Sequence, residues 1–199
     1  MAFDKNLKFK DYFKEEINII CKRYNLNENK ILTNYLTKTL ENFISPANFF
    51  ISNNGSFEFP RLSQIMTECY NSKDKFDSLL NYQKLGDTAL FTISFFEEKV
   101  TKNLVDRDYY VAIGESAYSN AGRINKNILK EETELNIFFE LAKNFKTISK
   151  VLEEISLGKQ KNESSNILCL YKKWKRTNSN VIKRILLESG MEPKLFEEK

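Results

Sequence analysis

The chain has no histidine among its 199 residues, and this absence narrows the chemistry that its sites can perform. An imidazole is the base of Ser-His-Asp and Cys-His catalytic groups and a common ligand of zinc. The Glu-x-x-His ligand pairs of di-iron helical bundles are excluded for the same reason. The few glycines also lack the spacings of phosphate-binding loops. We therefore expect no metal and no cofactor, and the sequence leans away from an enzyme.

Glycine, proline and cysteine are scarce, with 6, 3 and 3 residues respectively. A fold of many short strands needs glycine and proline in its many turns, so their scarcity argues against such a fold. Cys21, Cys69 and Cys169 are odd in number, far apart in sequence and surrounded by apolar helical neighbours. That pattern is typical of buried free thiols in a reducing compartment.

Long hydrophobic runs and a strong excess of one charge are also absent. No apolar run approaches the roughly 20 residues that span a bilayer, and the first residues lack the apolar core of a secretory signal. The net charge of +4 allows a nucleic-acid partner without requiring one. We expect a cytoplasmic protein with no membrane partner.

What the sequence does contain is a succession of apolar stripes with helical spacing. They predict a single all-α domain over residues 1–199, a multihelical orthogonal bundle of about seven or eight helices. Two stretches fall outside the stripes: an irregular aromatic loop at 45–59, for which a short β-hairpin is the alternative, and a polar linker at 159–166. The predicted helices lie at about 10–24, 27–45, 60–70, 76–96, 106–121, 132–157, 167–174 and 181–186.

Polar residues and two glycines recur on the predicted helices between residues 84 and 121. Glycine inside a helix costs roughly 1 kcal/mol relative to alanine, so such positions indicate close packing or a backbone that must be approached. We expect the two glycine-bearing helices to cross closely, beside a polar cluster that is either structural or a small-ligand site. The glycines are Gly86 and Gly114, and the candidate cluster is Asp87, Asp108, Tyr109, Tyr110 and Tyr118.

The C-terminal helical pair carries a basic patch. Two short helices with a turn between them and with lysine and arginine side chains suit a DNA phosphate backbone. A solvated, lysine-rich helix face is the alternative. The candidate nucleic-acid contacts are Lys172, Lys173, Lys175, Arg176, Lys183 and Arg184, with Tyr171 and Trp174 interleaved.

Four sequence motifs resemble those of a family of uncharacterised bacterial all-helical proteins. The motifs are LGDTALF at 85–91, VDRDYY at 105–110, IGE at 113–115 followed by AY at 117–118, and LYKKW at 170–174. They are similar to the family's GD-x-[AS]-L-[FY], D-x-DYY-x-x-[ML]-G-x-x-AY and LYE-x-W patterns, in the same order. The resemblance implies a shared helical fold and singles out Asp87, Tyr109, Tyr110, Gly114 and Tyr118, but it implies no activity.

The functional expectation is a non-enzymatic binding or scaffold protein in the cytosol. Aromatic residues make up 13% of the chain, more than many helical bundles require, which favours contacts with a protein partner or self-association. Two alternatives stay open. One is a sensor of a small molecule bound at the Asp/Tyr cluster, and the other is a DNA-binding regulator that uses the basic C-terminal pair.

Overall fold

The computed structural model describes residues 2–26, 30–44, 51–53, 56–58, 61–96, 106–129, 136–158, 170–171, 173–175 and 179–188. These residues form an all-α bundle, which confirms the predicted fold class. Across the described ranges, no helix has both the length and the apolar character needed to cross a membrane. The helices are α1 Ala2–Arg23, α2 Lys30–Ile44, α3 Leu62–Tyr70, α4 Lys75–Phe95, α5 Arg107–Leu129, α6 Ile137–Lys143, α7 Phe145–Gly158 and α8 Asn180–Glu188, and residues 170–171 and 173–175 are also helical.

A short β-hairpin occupies part of the stretch predicted as an irregular loop. Strands β1 Ile51–Asn53 and β2 Ser56–Glu58 are antiparallel, with Ile51 opposite Glu58. The Asn-Gly pair between them is the sequence that favours a tight hairpin turn. The hairpin alternative therefore describes these two strands, while the rest of 45–59 and the predicted linker 159–166 lie outside the described residues.

Side-chain caps fix where three of the helices begin. The Asp74 carboxylate accepts a hydrogen bond from the Asp77 backbone N–H at 2.9 Å, and Asp106 accepts one from Tyr109 at 3.0 Å. Asn136 accepts from the backbone N–H of Phe138, and its side-chain amide donates to the Gly122 carbonyl at 2.9 Å. Each cap satisfies a backbone donor that the first helical turn leaves without a partner.

The helix predicted over 132–157 is in fact two helices, and the prediction of one was wrong. Asn144 separates α6 from α7, and its side-chain amide donates back to the Glu140 carbonyl at 3.1 Å. Asparagine competes in this way with the regular ladder and favours helix ends. The continuous apolar periodicity concealed the break, which brings the buried Phe145 to the start of α7.

Helix α4 is the centre of the bundle, because α3, α5 and α7 all pack along it. Every residue from Leu85 to Ser94 is buried except Asp87, so the middle of α4 is covered on nearly all sides. A helix that is apolar all round is expected at the core of a bundle. Asp87 is thus a carboxylate placed within the most enclosed part of the fold.

A second, smaller core joins the C-terminal helical residues to the end of α7. Trp174 is 2% exposed, and it packs in one cluster with the α8 residues and with α7 through Leu157. The C-terminal pair is therefore packed onto the bundle by its own apolar contacts. The members of this cluster are Leu157, Leu170, Trp174, Val181, Ile182, Ile185 and Leu186.

Candidate functional site

Asp87 is held at the meeting point of three helices. Its Oδ1 atom accepts a hydrogen bond from the hydroxyl of Tyr118 on α5 at 2.6 Å and another from Tyr35 on α2 at 2.7 Å. Gln83, one turn earlier on α4, lies close enough to the carboxylate to lower its pKa. We call Tyr35, Gln83, Asp87 and Tyr118 the Asp87 cluster. It ties α2 and α5 to the central helix through a single oxygen atom.

Gly86 makes room for the Tyr118 ring. A Cβ atom on Gly86 would lie 2.7 Å from two atoms of that ring, closer than carbon atoms pack. The ring therefore lies directly against the α4 backbone, and its hydroxyl reaches the neighbouring Asp87. The glycine and the aspartate of the LGDTALF motif thus contact the same fully buried tyrosine. Gly86 leaves room for the Tyr118 ring, and Asp87 accepts a hydrogen bond from the Tyr118 hydroxyl.

Burial controls the protonation of the Asp87 cluster. Desolvation raises the pKa of Asp87 to about 6. The hydrogen bonds from Tyr118 and Tyr35, and the nearby Gln83 amide, oppose that rise because they favour the charged form. Burial and the Asp87 charge raise the pKa of both phenols, Tyr118 and Tyr35. The phenols are therefore neutral donors at every ordinary pH, and Asp87 is the group in the cluster that titrates.

Tyr35 and Gln83 belong to the Asp87 cluster although sequence reasoning did not place them there. Tyr35 is 52 residues from Asp87 in the chain. The spacing of its neighbours made it look like one more apolar residue in the stripe of α2. A signal was present, since a tyrosine on an apolar face needs a partner for its hydroxyl and a carboxylate inside a core helix needs donors. The sequence alone does not say which tyrosine meets which carboxylate.

Three residues expected beside Asp87 lie elsewhere. Asp108 is exposed in the first turn of α5, where a carboxylate is favoured by the helix dipole. Tyr109 is 42% exposed, and Tyr110 is partly buried against the core with its ring edge-on to that of Tyr109. The structure brings only Asp87 and Tyr118 together from the expected set of five.

Gly114 is used at a different contact from the one expected. The nearest atoms to a Cβ built on Gly114 all belong to the ring of Phe145 at the start of α7. The expected close approach of α4 and α5 depends instead on Gly86 and Tyr118, with the buried Ala89 and Ala117 on the two helices. Gly114 thus receives Phe145 at the α5–α7 contact.

Tyr109 lines an open groove, which we call the tyrosine groove. It has a volume of about 260 Å³ and contains three tyrosines, Tyr70, Tyr82 and Tyr109. No lining residue is charged, although 29% of the chain is charged. The lining residues are Met66, Cys69, Tyr70, Tyr82, Leu85, Tyr109, Ala112, Ile113, Ser116, Ala117 and Asn120.

The tyrosine groove has two helical walls and a helical floor. Lys84 on α4 forms an ion pair with Glu68 on α3 at 2.7 Å, and Asn81, earlier on α4, bonds to Ser72, which follows α3. Residue numbers therefore fall along α4 as they rise along α3, so the two helices are antiparallel. Arg107 at the start of α5 bonds to the Ile93 carbonyl near the end of α4, so α5 is antiparallel to α4 as well. The walls α3 and α5 therefore run in the same direction, and each packs on α4 without extended packing on the other.

Burial keeps the Cys69 thiol, which lines the groove, in its protonated form near neutral pH. Burial, with a smaller effect of the Glu68 charge, raises the pKa of Cys69 to about 11. The reactive form of cysteine is the thiolate, which such a pKa leaves almost unpopulated near neutral pH. Cys69 contributes an apolar surface to the groove, as its 6% exposure indicates.

The basic C-terminal pair is partly engaged in structural contacts. Arg184 bonds to the buried carboxylate of Glu154 on α7, which also receives Arg23 from α1. The Arg184 guanidinium also lies over the ring of Tyr24, 5.6 Å from its centroid. Sequence reasoning missed Glu154, which lies on the apolar stripe of α7 and joins three helices.

The other basic candidates show no common arrangement in the described residues. Lys183 and Lys175 are exposed, and Lys173 is partly buried. The side chains of Lys172 and Arg176 lie outside the described part of the chain. Among the residues that the structure describes, no three cysteine, aspartate or glutamate side chains lie close enough together to hold a metal ion.

Comparisons with protein-family models, with curated proteins and with solved structures found no match to this chain. Function is therefore inferred from the Asp87 cluster and the tyrosine groove themselves.

Proposed function

We propose that this chain is a non-enzymatic binding protein of the bacterial cytosol, and that it holds a protein partner in the tyrosine groove. The observation that carries the proposal is the groove itself, an open and uncharged surface with three tyrosines in its lining. Tyrosine is enriched and charge is depleted at the centres of protein interfaces. Tyr70, at 83% exposed, offers the aromatic surface that such an interface covers.

The size of the groove favours a protein partner over a small ligand. Pockets for drug-sized molecules usually have volumes of about 300–1,000 Å³ and enclose most of the ligand. This groove, at about 260 Å³, is smaller and is open to solvent on one side. It suits one or two apolar side chains that anchor a larger partner, and the surrounding surface then makes the remaining contacts.

The Asp87 cluster gives less support to a small-ligand sensor. Oδ1 of Asp87 already accepts two hydrogen bonds from neutral phenols, and the Tyr118 ring that supplies one of them is fully buried. A ligand that used this oxygen would have to displace a paired donor. The cytosolic location is supported by the two described cysteines, Cys21 and Cys69, which are buried free thiols.

The test fills the groove without entering the core. Ala112 is an exposed residue of the groove on α5, so Ala112→Arg places a long, charged side chain in the uncharged lining. Asn127→Arg adds the same side chain to an exposed position of the same helix outside the groove and is the matched control. Circular dichroism spectra should be the same for both variants and the parent protein.

Tagged forms of the three proteins are then purified from the cells that naturally express the chain. We expect a protein that is retained by the parent and by Asn127→Arg to be lost, at least tenfold, with Ala112→Arg. Identical sets of retained proteins for all three would mean that the groove is not the binding surface, and the proposal would fail.

A further inference from the structure

The buried part of the tyrosine groove is apolar and comes from all three of its helices. Cys69 on α3, Leu85 on α4 and Ala117 on α5 line the groove and are buried. None of the described lining residues carries a charge. A charged side chain placed against these residues would lose its water without gaining an ionic partner. The charge of the groove therefore matches an uncharged side chain of the partner.

The volume of the groove matches one aromatic side chain. A cavity of about 150 Å³ in a protein core holds a benzene molecule. The groove, at about 260 Å³, has room for one such ring and also for a second fused ring or a polar substituent with its water. A small aliphatic side chain would leave part of this space empty and would forfeit dispersion contacts.

The side chains around this space favour an aromatic ring over a saturated one of the same size. Tyr70, Tyr82 and Tyr109 offer ring faces and edges, and Met66 offers a thioether sulfur. Both kinds of group make favourable contacts with an aromatic ring beyond those due to the buried area. Burial raises the pKa of Tyr82, with further contributions from the nearby Cys69 and Tyr70, so these three side chains lie close together.

Two polar side chains of α5 can bond to the edge of a bound ring. Ser116 and Asn120 line the groove one helical turn apart, so they lie on the same side of α5. The Asn120 oxygen accepts a hydrogen bond from Arg123 at 2.8 Å. Within the described residues, the Asn120 amide NH₂ and the Ser116 hydroxyl have no hydrogen-bond partner. A phenol hydroxyl or an indole N–H needs such a partner when its ring is buried.

From these features we infer that the partner protein is anchored in the groove by one tyrosine or tryptophan side chain. The ring packs on Cys69, Leu85 and Ala117, and its hydroxyl or indole N–H bonds to Ser116 or Asn120. This inference rests on the proposed function and specifies the side chain by which the partner is recognised.

The experiment presents small copies of the anchor to the purified full-length protein. p-Cresol is the side chain of tyrosine, toluene lacks its hydroxyl, and 4-methylcyclohexanol keeps the hydroxyl but has a saturated ring of similar size. The methionine methyl groups are labelled with carbon-13, and Met66→Leu identifies the signal of the groove residue. Titrations followed by NMR give a Kd for each probe from the concentration dependence of the Met66 shift, so the size of the shift does not matter.

We expect p-cresol to bind with a Kd on the order of 1 mM, as a compound of this size can. Because one probe lacks the aromatic ring and the other lacks the hydroxyl, 4-methylcyclohexanol and toluene should each bind at least about fivefold more weakly. Ala112→Arg should weaken p-cresol binding at least about tenfold, because it blocks the groove, whereas Asn127→Arg should leave it unchanged.

The same probes then test the partner protein that the purification from cells supplies. With p-cresol present at about ten times its own Kd, the apparent Kd of the partner should rise about tenfold, since the two compete for one site. At the same concentration, 4-methylcyclohexanol should raise it much less.

Several results would overturn the inference and leave the proposed function standing. Equal Kd values for p-cresol and 4-methylcyclohexanol would show that the groove does not favour an aromatic ring. Equal values for p-cresol and toluene would show that no polar edge is bound. An unchanged Met66 signal with all probes, or a partner that p-cresol does not weaken, would show that no aromatic anchor is used. The proposed function itself fails only if Ala112→Arg and Asn127→Arg retain the same proteins.

Discussion

The Asp87 cluster and the tyrosine groove share helices α4 and α5, with α2 added in the cluster and α3 in the groove, yet they have opposite properties. In the Asp87 cluster the polar atoms find partners inside the protein, and Tyr118 is fully buried. In the tyrosine groove Tyr70 is 83% exposed and Tyr109 is 42% exposed, whereas Tyr82 is half-buried against the core. Tyrosine is thus used once as an internal hydrogen-bond donor and once as an open contact surface.

Burial and hydrogen bonding together separate structural tyrosines from binding ones. A buried hydroxyl without a partner costs free energy, so a tyrosine that stabilises the fold is paired and enclosed. A large aromatic surface left open contributes nothing to the stability of the isolated protein, and it becomes useful when a partner covers it. Substitutions in the Asp87 cluster should therefore change stability, whereas substitutions in the tyrosine groove should change binding.

The largest effect is expected where a side chain is added at the Tyr118 contact. Gly86→Leu places atoms in the space that the Tyr118 ring occupies, because even the Cβ atom of the new side chain would lie 2.7 Å from that ring. Overpacking of this kind should lower the free energy of unfolding by about 3 kcal/mol. The gain in helix propensity, about 1 kcal/mol, only partly offsets it. Chemical denaturation measures the change.

The matched control adds the same side chain to the other region. Ala112→Leu enlarges an exposed residue of the tyrosine groove and should change the unfolding free energy by no more than about 0.5 kcal/mol. Equal stabilities for Gly86→Leu and the parent protein would show that the ring of Tyr118 moves without cost, and the close α4–α5 contact would then carry no structural role.

A smaller effect is expected from removing one hydroxyl of the Asp87 cluster. Tyr118→Phe keeps the buried ring but removes one of the two hydrogen bonds to Oδ1 of Asp87. Hydrogen bonds to charged groups contribute about 1.5–3 kcal/mol, so we expect a loss of about 2 kcal/mol in unfolding free energy.

Tyr110→Phe is the control for that measurement, because Tyr110 is a partly buried tyrosine of the same helix outside the Asp87 cluster. It should change the unfolding free energy by less than about 0.5 kcal/mol. If both variants lose the same amount, the hydroxyl of Tyr118 has no special partner and the contrast between the regions disappears.

Much of the fold was accessible from the sequence because apolar periodicity reports which face of a helix is buried. It identified the all-α class and the central helix with Asp87, and the capping role of Asp106 followed from its position before the helix. Periodicity could not locate the break at Asn144, since the apolar pattern continues across it. A break of this kind is decided by packing, here by the ring of Phe145 against Gly114.

The candidate site was less accessible, because proximity on one helix does not give proximity across helices. Tyr109 and Tyr110 were grouped with Tyr118 by sequence, yet at 3.6 residues per turn the nine-residue spacing of Tyr109 and Tyr118 places them on opposite faces of α5. Tyr118 faces Asp87, whereas Tyr109 faces the tyrosine groove. The partner from α2, Tyr35, is brought to Asp87 by tertiary packing alone.

The smallest effect, and the one that most sharpens the contrast, is the pH dependence of stability. The pKa of Asp87 in the folded protein is about 6, above the ordinary value of 3.8, so the folded state binds its proton more tightly than the unfolded state does. The contribution of this carboxyl to stability is therefore greatest below about pH 4 and is lost as the pH rises through about 6.

Asp87→Asn should remove this dependence, because the amide does not titrate. Compared with the parent protein, the variant should gain about 1 kcal/mol of relative unfolding free energy between pH 4 and pH 7. This is less than the pKa shift alone would give, because the Asp87 residue is half-buried and not fully enclosed. Denaturation curves at several pH values measure the difference, and Asp108→Asn, at an exposed carboxylate of α5, is the control.

The difference in unfolding free energy between Asp87→Asn and the parent protein could also be the same at every pH. That result would mean that solvent reaches the carboxylate freely, so that Asp87 would belong with the open region and not with the closed one. If the unfolding free energy depends on pH equally in both variants, the titration belongs to other carboxylates of the bundle. If only Asp87→Asn loses the pH dependence, the Asp87 cluster is an enclosed polar contact of the fold.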